Sequence, residues 1–278
     1  MNKVSAIIKI SRPVNFLIAF FAVMISYFIT AVKPEIDFKL ISGALAMSFS
    51  FAAGNIINDI IDLEIDRINK PERVLPAGYL TLSFAKFLYG FFVLVSLAFS
   101  VECGINSLVF LLLVNGILYL YSLYLKKVIL AGNFVVALIT ASALIYGGMI
   151  SGNIVGGIIP ALFAFLINFI REVIKDIEDL KGDSLQNVIT FPARYGIKKS
   201  LLLILIFTVV TIIFTVIPFI FKIYKIEFLI IVMSTVNILF VYALKLLYKS
   251  QAVETLKKVS SIVKLNMIIG LIAILVGK

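Results

Sequence analysis

The sequence has no histidine and a single cysteine among its 278 residues. Without imidazole, the commonest metal ligand and acid–base group is missing, and with it any His-ligated haem or zinc centre. One thiol, Cys103, excludes an internal disulfide framework and reads as a small apolar residue near the end of an apolar run. Charge is scarce as well: 14% of residues carry one, against about 25% in soluble domains. Any chemistry here must run on carboxylates, Lys, Arg, Tyr and Asn. What fills the sequence is apolar, 62% of it, where soluble domains hold roughly 45–50%.

Apolar runs long enough to cross about 30 Å of hydrocarbon fall near 13–32, 39–58, 82–101, 105–122, 128–150, 154–174, 200–221, 227–247 and 259–277. They predict an all-α integral membrane protein of nine transmembrane helices. They recur to the end of the chain and leave no room for a separate globular unit, so one polytopic domain spanning 1–278 is expected. The run from Pro13 to Val32 follows Lys3, Lys9 and Arg12, as the core of a signal peptide would. Its length of about 20 residues and the lack of a small-residue cleavage site predict a retained first span.

Placing the N-terminus in the cytoplasm puts eighteen of the 25 basic residues on that side and five on the other, with Lys86 and Lys264 inside spans. That asymmetry follows the positive-inside rule. The net charge of +10 is therefore read as topology and attraction to anionic membrane lipid, with no nucleic-acid partner expected. The two long polar segments, about 58–81 and 175–199, both fall on the cytoplasmic side, and function is expected there.

Each segment carries the same device. The first reads Asn55-Ile-Ile-Asn58-Asp59-Ile-Ile-Asp62-Leu-Glu-Ile-Asp66-Arg67, and the second Arg171-Glu172-Val-Ile-Lys175-Asp176-Ile-Glu178-Asp179-Leu-Lys181-Gly-Asp183. In both, three aspartates stand at i, i+3 and i+7, which a continuous helix projects onto one face within about 60°. Every aspartate of the second triplet lies 117 residues after its counterpart, and only Asp37 of the seven aspartates stands apart. Solvated carboxylates paired with nearby Lys and Arg are the ordinary alternative. Three like charges on one face are costly unless a cation offsets them, however, and the pattern occurs twice.

An oxygen-only donor set favours a hard cation, Mg²⁺ before Mn²⁺ or Ca²⁺. The economical arrangement has Asp59, Asp62, Asp66, Asp176, Asp179 and Asp183 holding Mg²⁺ that a diphosphate bridges. Lys70 and Arg73 lie in a segment broken by Pro71, Pro76 and Gly78, which predicts a turn that offers both cations to phosphate. Arg171 and Lys175 precede the second triplet, and Lys175, four residues from both Arg171 and Asp179, is also placed to neutralise its own helix. Tyr121 and Lys126 close the fourth span, where an aromatic belt with snorkelling lysines competes with a tyrosine ring facing a developing carbocation. Asn15, Asn133 and Asn168 line a cavity or bond between helices.

These residues resemble the UbiA superfamily of intramembrane prenyltransferases. Its Asn-Asp-x-x-Asp-x-x-x-Asp pattern is met by Asn58, Asp59, Asp62 and Asp66, and its second pattern by Asp176, Asp179 and Asp183. The resemblance covers essentially the whole chain. It implies nine helices around a central cavity, cytoplasmic Asp motifs facing each other under a small cap, and Mg²⁺ drawing diphosphate from an allylic donor. Asn55, Asn58, Lys70, Arg73, Tyr121, Lys126, Arg171 and Lys175 are then expected to bind diphosphate or substrate. The turn departs from the family's frequent form, with Val74 for Pro and Ala77 for Ser. Arg12-Pro-x-Asn15-Phe and the second-motif string look most like the archaeal ether-lipid branch, which transfers geranylgeranyl from its diphosphate to geranylgeranylglyceryl phosphate. A lipid acceptor needs its own phosphate site, with Arg12, Lys126, Lys127 and Arg171 as candidates. No obligate protein partner is implied.

Two other readings compete. A relative that prenylates an aromatic quinone precursor needs no acceptor phosphate site. A cation-coupled transporter predicts ionisable groups near the bilayer midplane, whereas these clusters begin at span ends.

Overall fold

A computed structural model describes residues 1–183 and 190–278, apart from the side chains of residue 69 and residues 181–183. The described residues are helical with no strand: α1 (Lys3–Ile10), α2 (Pro13–Thr30), α3 (Phe38–Ile61), α4 (Leu63–Asn69), α5 (Leu82–Val101), α6 (Ile105–Leu123), α7 (Ala131–Ile150), α8 (Ile154–Asp183), α9 (Phe191–Tyr195), α10 (Ile197–Ile220), α11 (Ile226–Ile231), α12 (Asn237–Lys249) and α13 (Val253–Val276). A π-helical turn, Val232–Val236, joins α11 to α12. Among the described residues, nine helical stretches are long and apolar enough to span a membrane. They match the nine expected runs to within a few residues, except that α8 continues to Asp183 and α13 starts at Val253, six residues before the expected 259. Helix starts follow local chemistry: Asn2, Asp37 and Thr81 accept the free amides of Ser5, Leu40 and Phe84, and Pro13 opens α2.

One compact unit comprises Met1–Leu125 with Ser142–Gly157. Its centre is α3, packed on α2, α5 and α6. Small residues line α3, with Ser42, Gly43, Ala44, Ala46, Ser48 and Ser50 all buried, so neighbouring backbones approach closely where hydrophobic driving force is absent. Hydrogen bonds tie the spans: Ser50 and Ser96 hydroxyls meet at 2.7 Å, and Asn115 Nδ2 donates to Ser50 Oγ at 2.8 Å. At the α2–α7 crossing, Ser26 donates to the Leu144 carbonyl at 2.5 Å. There a Cβ on Gly147 would stand 2.5 Å from the Val23 carbonyl oxygen and 2.7 Å from Ser26 Cβ.

Gly147→Ala is therefore expected to push two backbones apart, at a cost of about 1–3 kcal/mol. The readout is a Tm several degrees lower in detergent. Gly116→Ala, with nothing within 4 Å of the added Cβ, is the matched control and should hold or raise the Tm.

The second unit comprises Lys126–Ala141 with Ile158–Lys278. Buried residues Phe228, Val232, Val236 and Phe240 recur every fourth position along one span. Four-residue steps drift about 40° per turn on a regular α-helix, and the wider π turn absorbs the drift. Asn266 Nδ2 donates to the Val236 carbonyl at 2.9 Å, and Asn237 Nδ2 to Thr215 Oγ1 at 3.2 Å. Asn168 is buried and donates to Ala164 O and Met267 Sδ, so it bonds within and between helices.

Candidate active site

The first motif begins in the last turns of α3, with Asn55 and Asn58 half-buried and Asp59 buried. One uninterrupted helix through all three aspartates was expected, and the structure corrects this. Helix α3 stops at Ile61, and Asp62, with φ −82° and ψ 2°, is the joint from which α4 starts. Such a residue near the bridge region of the backbone map ends regular helix, and a short polar side chain that competes for backbone groups suits it. The joint is gentle. Asp62 N still donates to Asn58 O at 2.9 Å and Asp66 N to Asp62 O at 2.7 Å, so the aspartates remain on successive turns.

Asp59 and Asp66 are only 7% and 4% exposed. Arginines balance them: Arg12 Nη2 lies 2.7 Å from Asp59 Oδ1, and Arg73 Nη1 lies 2.6 Å from Asp66 Oδ2 and 3.6 Å from Asp59 Oδ1. Among the described residues no three acidic or thiol groups converge as a metal cluster, and guanidinium groups take the charge-balancing position. The donor set remains one that suits Mg²⁺, with carboxylate oxygens at a helix joint and no nitrogen or sulfur.

Both arginines are set by their surroundings. Arg12 occupies the α1–α2 joint in left-handed conformation, φ 52° and ψ 76°, a backbone state that is uncommon outside glycine. Asn55 Nδ2 donates to Ser11 O at 3.3 Å and Asn15 Nδ2 to Asn55 Oδ1 at 3.4 Å, tying the joint to α3. The expected turn after α4 is present, and Arg73 N donates to Lys70 O at 2.9 Å. Val74, Leu75 and Leu80 are buried in one cluster with Ala6, Ile10 and Ile56. That apolar underside seats the turn and aims Arg73 at the carboxylates, while Lys70 is exposed.

In the second unit, α8 carries the second motif on a continuous helix. Asp176 is half-buried and accepts from Asn133 Nδ2 at 2.8 Å, and Asp179 is exposed. Lys175 pairs with Glu172 at 2.6 Å rather than with Asp179, and Arg171 reaches Glu172 at 3.2 Å. Arg171 Nε is buried without a partner among the described residues. The side chain of Asp183 lies outside the described residues, as do residues 184–189. Tyr121 is half-buried near the end of α6, and Lys126 is half-buried in the 3₁₀ turn Leu125–Lys127.

Sequence reasoning missed Arg12 as the partner of Asp59, and gave Asn133 only a generic polar role. Cys103 sits between α5 and α6, where burial pushes its thiol above the usual range.

The profile of the UbiA prenyltransferase family matches residues 18–268. The chain belongs to this family. Like other UbiA proteins it is a prenyltransferase, and the resemblance read from its motifs holds across its length. It is 37% identical over 278 residues to the digeranylgeranylglyceryl phosphate synthase of Methanocaldococcus jannaschii, covering 100% of this chain and 97% of that one. The enzyme of the same name from Methanosphaera stadtmanae is 33% identical over 270 residues, covering 97% and 98%. A solved digeranylgeranylglyceryl phosphate synthase structure superposes with a TM-score of 0.85 at 37% identity, covering 100% and 99%. A UbiA homologue from Archaeoglobus fulgidus, solved with GPP and Mg²⁺, shares the fold with a TM-score of 0.73 at 17% identity, covering 97% and 99%.

Proposed function

We propose that this UbiA-family enzyme transfers a geranylgeranyl group from geranylgeranyl diphosphate to the free hydroxyl of geranylgeranylglyceryl phosphate, forming the second ether bond of an archaeal membrane lipid. The observation that carries this reading is the full-length similarity to synthases of that name, at 33% and 37% identity. The reaction breaks the allylic C–O bond to diphosphate, forms a C–O bond to the glycerol oxygen and releases the hydroxyl proton.

Asp59, Asp62 and Asp66, with Asp176, Asp179 and Asp183, are the residues that would hold Mg²⁺. The oxygen-only donor set and the A. fulgidus homologue's Mg²⁺ and GPP support this. The metal supplies charge neutralisation to the departing diphosphate. Arg73 and Lys70 add fixed positive charge where leaving-group charge grows. Arg171, whose Nε has no partner among the described residues, and Lys126 are the cations assigned to the acceptor's phosphate. Asn133 holds Asp176 in a fixed orientation. Asn55 and Asn58 present amides beside the first motif, Tyr121 a ring to the allylic group, and Lys175 a cation shared with Glu172. The whole of 1–278 acts as one domain in the cell membrane, with N-terminus and motifs on the cytoplasmic face, in keeping with the distribution of basic residues.

The test is acceptor choice. Purified protein with labelled geranylgeranyl diphosphate and Mg²⁺ is expected to label geranylgeranylglyceryl phosphate and leave an aromatic quinone precursor unlabelled. Efficient labelling of the aromatic acceptor in place of the lipid would overturn the assignment.

A further inference from the structure

Within the first unit, two carboxylates and two guanidinium groups form a nearly closed charge set. The Asp59 and Asp66 side chains are 10% and 6% exposed, whereas Arg12 and Arg73 keep 36% and 27%. The acids are therefore fixed beneath, and the bases are the solvent-reaching covers. Arg12 rises from a two-helix joint, and Arg73 from a turn. A cation approaching Asp59 Oδ1 meets Arg12 Nη2 already there at 2.7 Å. If a dication takes the carboxylates, both guanidinium groups lose their counter-charge and stand beside added positive charge. The ligand that relieves this is a polyanion, and the planar forks of arginine match phosphate oxygens.

We infer that Arg12 and Arg73 form a charge-exchange latch: they hold Asp59 and Asp66 while no metal is bound, and transfer to diphosphate oxygens when Mg²⁺ takes the carboxylates. This rests on the metal-site reading above and adds Arg12 as a diphosphate-binding residue. Its consequence is coupling. Metal alone binds weakly because it must displace guanidinium, diphosphate alone binds weakly because the arginines are engaged, and each raises the other's affinity by the same factor.

Arg12→Gln separates these effects, because the variant loses the competitor for Asp59 and also loses a phosphate ligand. Mn²⁺ titrated into the full-length protein in detergent, without diphosphate and followed by electron paramagnetic resonance, is expected to bind Arg12→Gln about five- to tenfold more tightly than wild type. A non-reactive geranylgeranyl thiolodiphosphate at fixed free metal is expected to bind it about tenfold more weakly. Arg12→Lys should fall between the two proteins. Opposite shifts in one variant do not arise from a damaged fold. Mn²⁺ affinity in Arg12→Gln equal to or below wild type overturns the latch. If Asp62→Asn abolishes Mn²⁺ binding while Arg12→Gln leaves it unmoved, the latch alone fails. If Asp62→Asn leaves Mn²⁺ binding intact, the metal-site reading fails and the latch with it.

Discussion

Alanine at Asp62 or at Asp179 is expected to reduce Mg²⁺-dependent release of labelled diphosphate by about 10²–10³-fold, the scale set by loss of one charge-stabilising group. These two positions isolate chemistry from folding. Asp62 is half-buried at the α3–α4 joint, and Asp179 is exposed on α8, so neither change empties a packed core. The Tm of both variants should stay close to wild type. Near-native turnover in both would remove the metal assignment, and a loss confined to Asp62→Ala would leave the second motif without a catalytic role.

Arg73→Ala carries the largest expected effect on stability. It strips Asp66, 6% exposed, of its partner at 2.6 Å, and leaving a buried carboxylate unpaired costs about 3 kcal/mol. Arg12 still covers Asp59, so the loss is local to Asp66. Heating curves in detergent should show a lowered Tm, and millimolar Mg²⁺ should restore part of it, because a dication can take the place of guanidinium. No recovery would mean that cations do not reach Asp66. Arg67→Ala gives the contrast: its pair with Glu64 has side chains 57% and 79% exposed, so its Tm should not move.

Local sequence carried most of the architecture. Each apolar run became a span because in hydrocarbon a helix satisfies its own backbone, and length and composition alone signal that. The α8 boundary was legible only in part. Expectation ended that span near 174, but the helix runs on to Asp183, past a Glu172–Lys175 ion pair one turn apart at the expected end. The joint at Asp62 was not legible, since i, i+3, i+7 spacing reads identically through a straight or a jointed helix. Arg12 and Asp59 lie 47 residues apart, and no periodicity connects them; only folding of α1 and α2 onto α3 does. Val74 looked like a departure from a family turn, yet with Leu75 it forms the buried underside that holds Arg73 in place. The motif residues were visible as chemistry, while their partners were a matter of tertiary structure.

The π turn at Val232–Val236 sets a phase between the two halves of its span. Phe228 and Phe240 stand twelve residues apart and are both buried; on a regular helix the second would be rotated about 120° from the first. Substitutions within the turn alter packing one side chain at a time. Deletion of a single residue there would instead let the turn close to regular α-helix, with the two phenylalanines eleven residues apart and only about 20° out of phase, so that Phe240, Ala243 and Leu247 would keep facing the core. The turn is thus a one-residue allowance in the span, the place where the chain can shorten without rotating the half that follows.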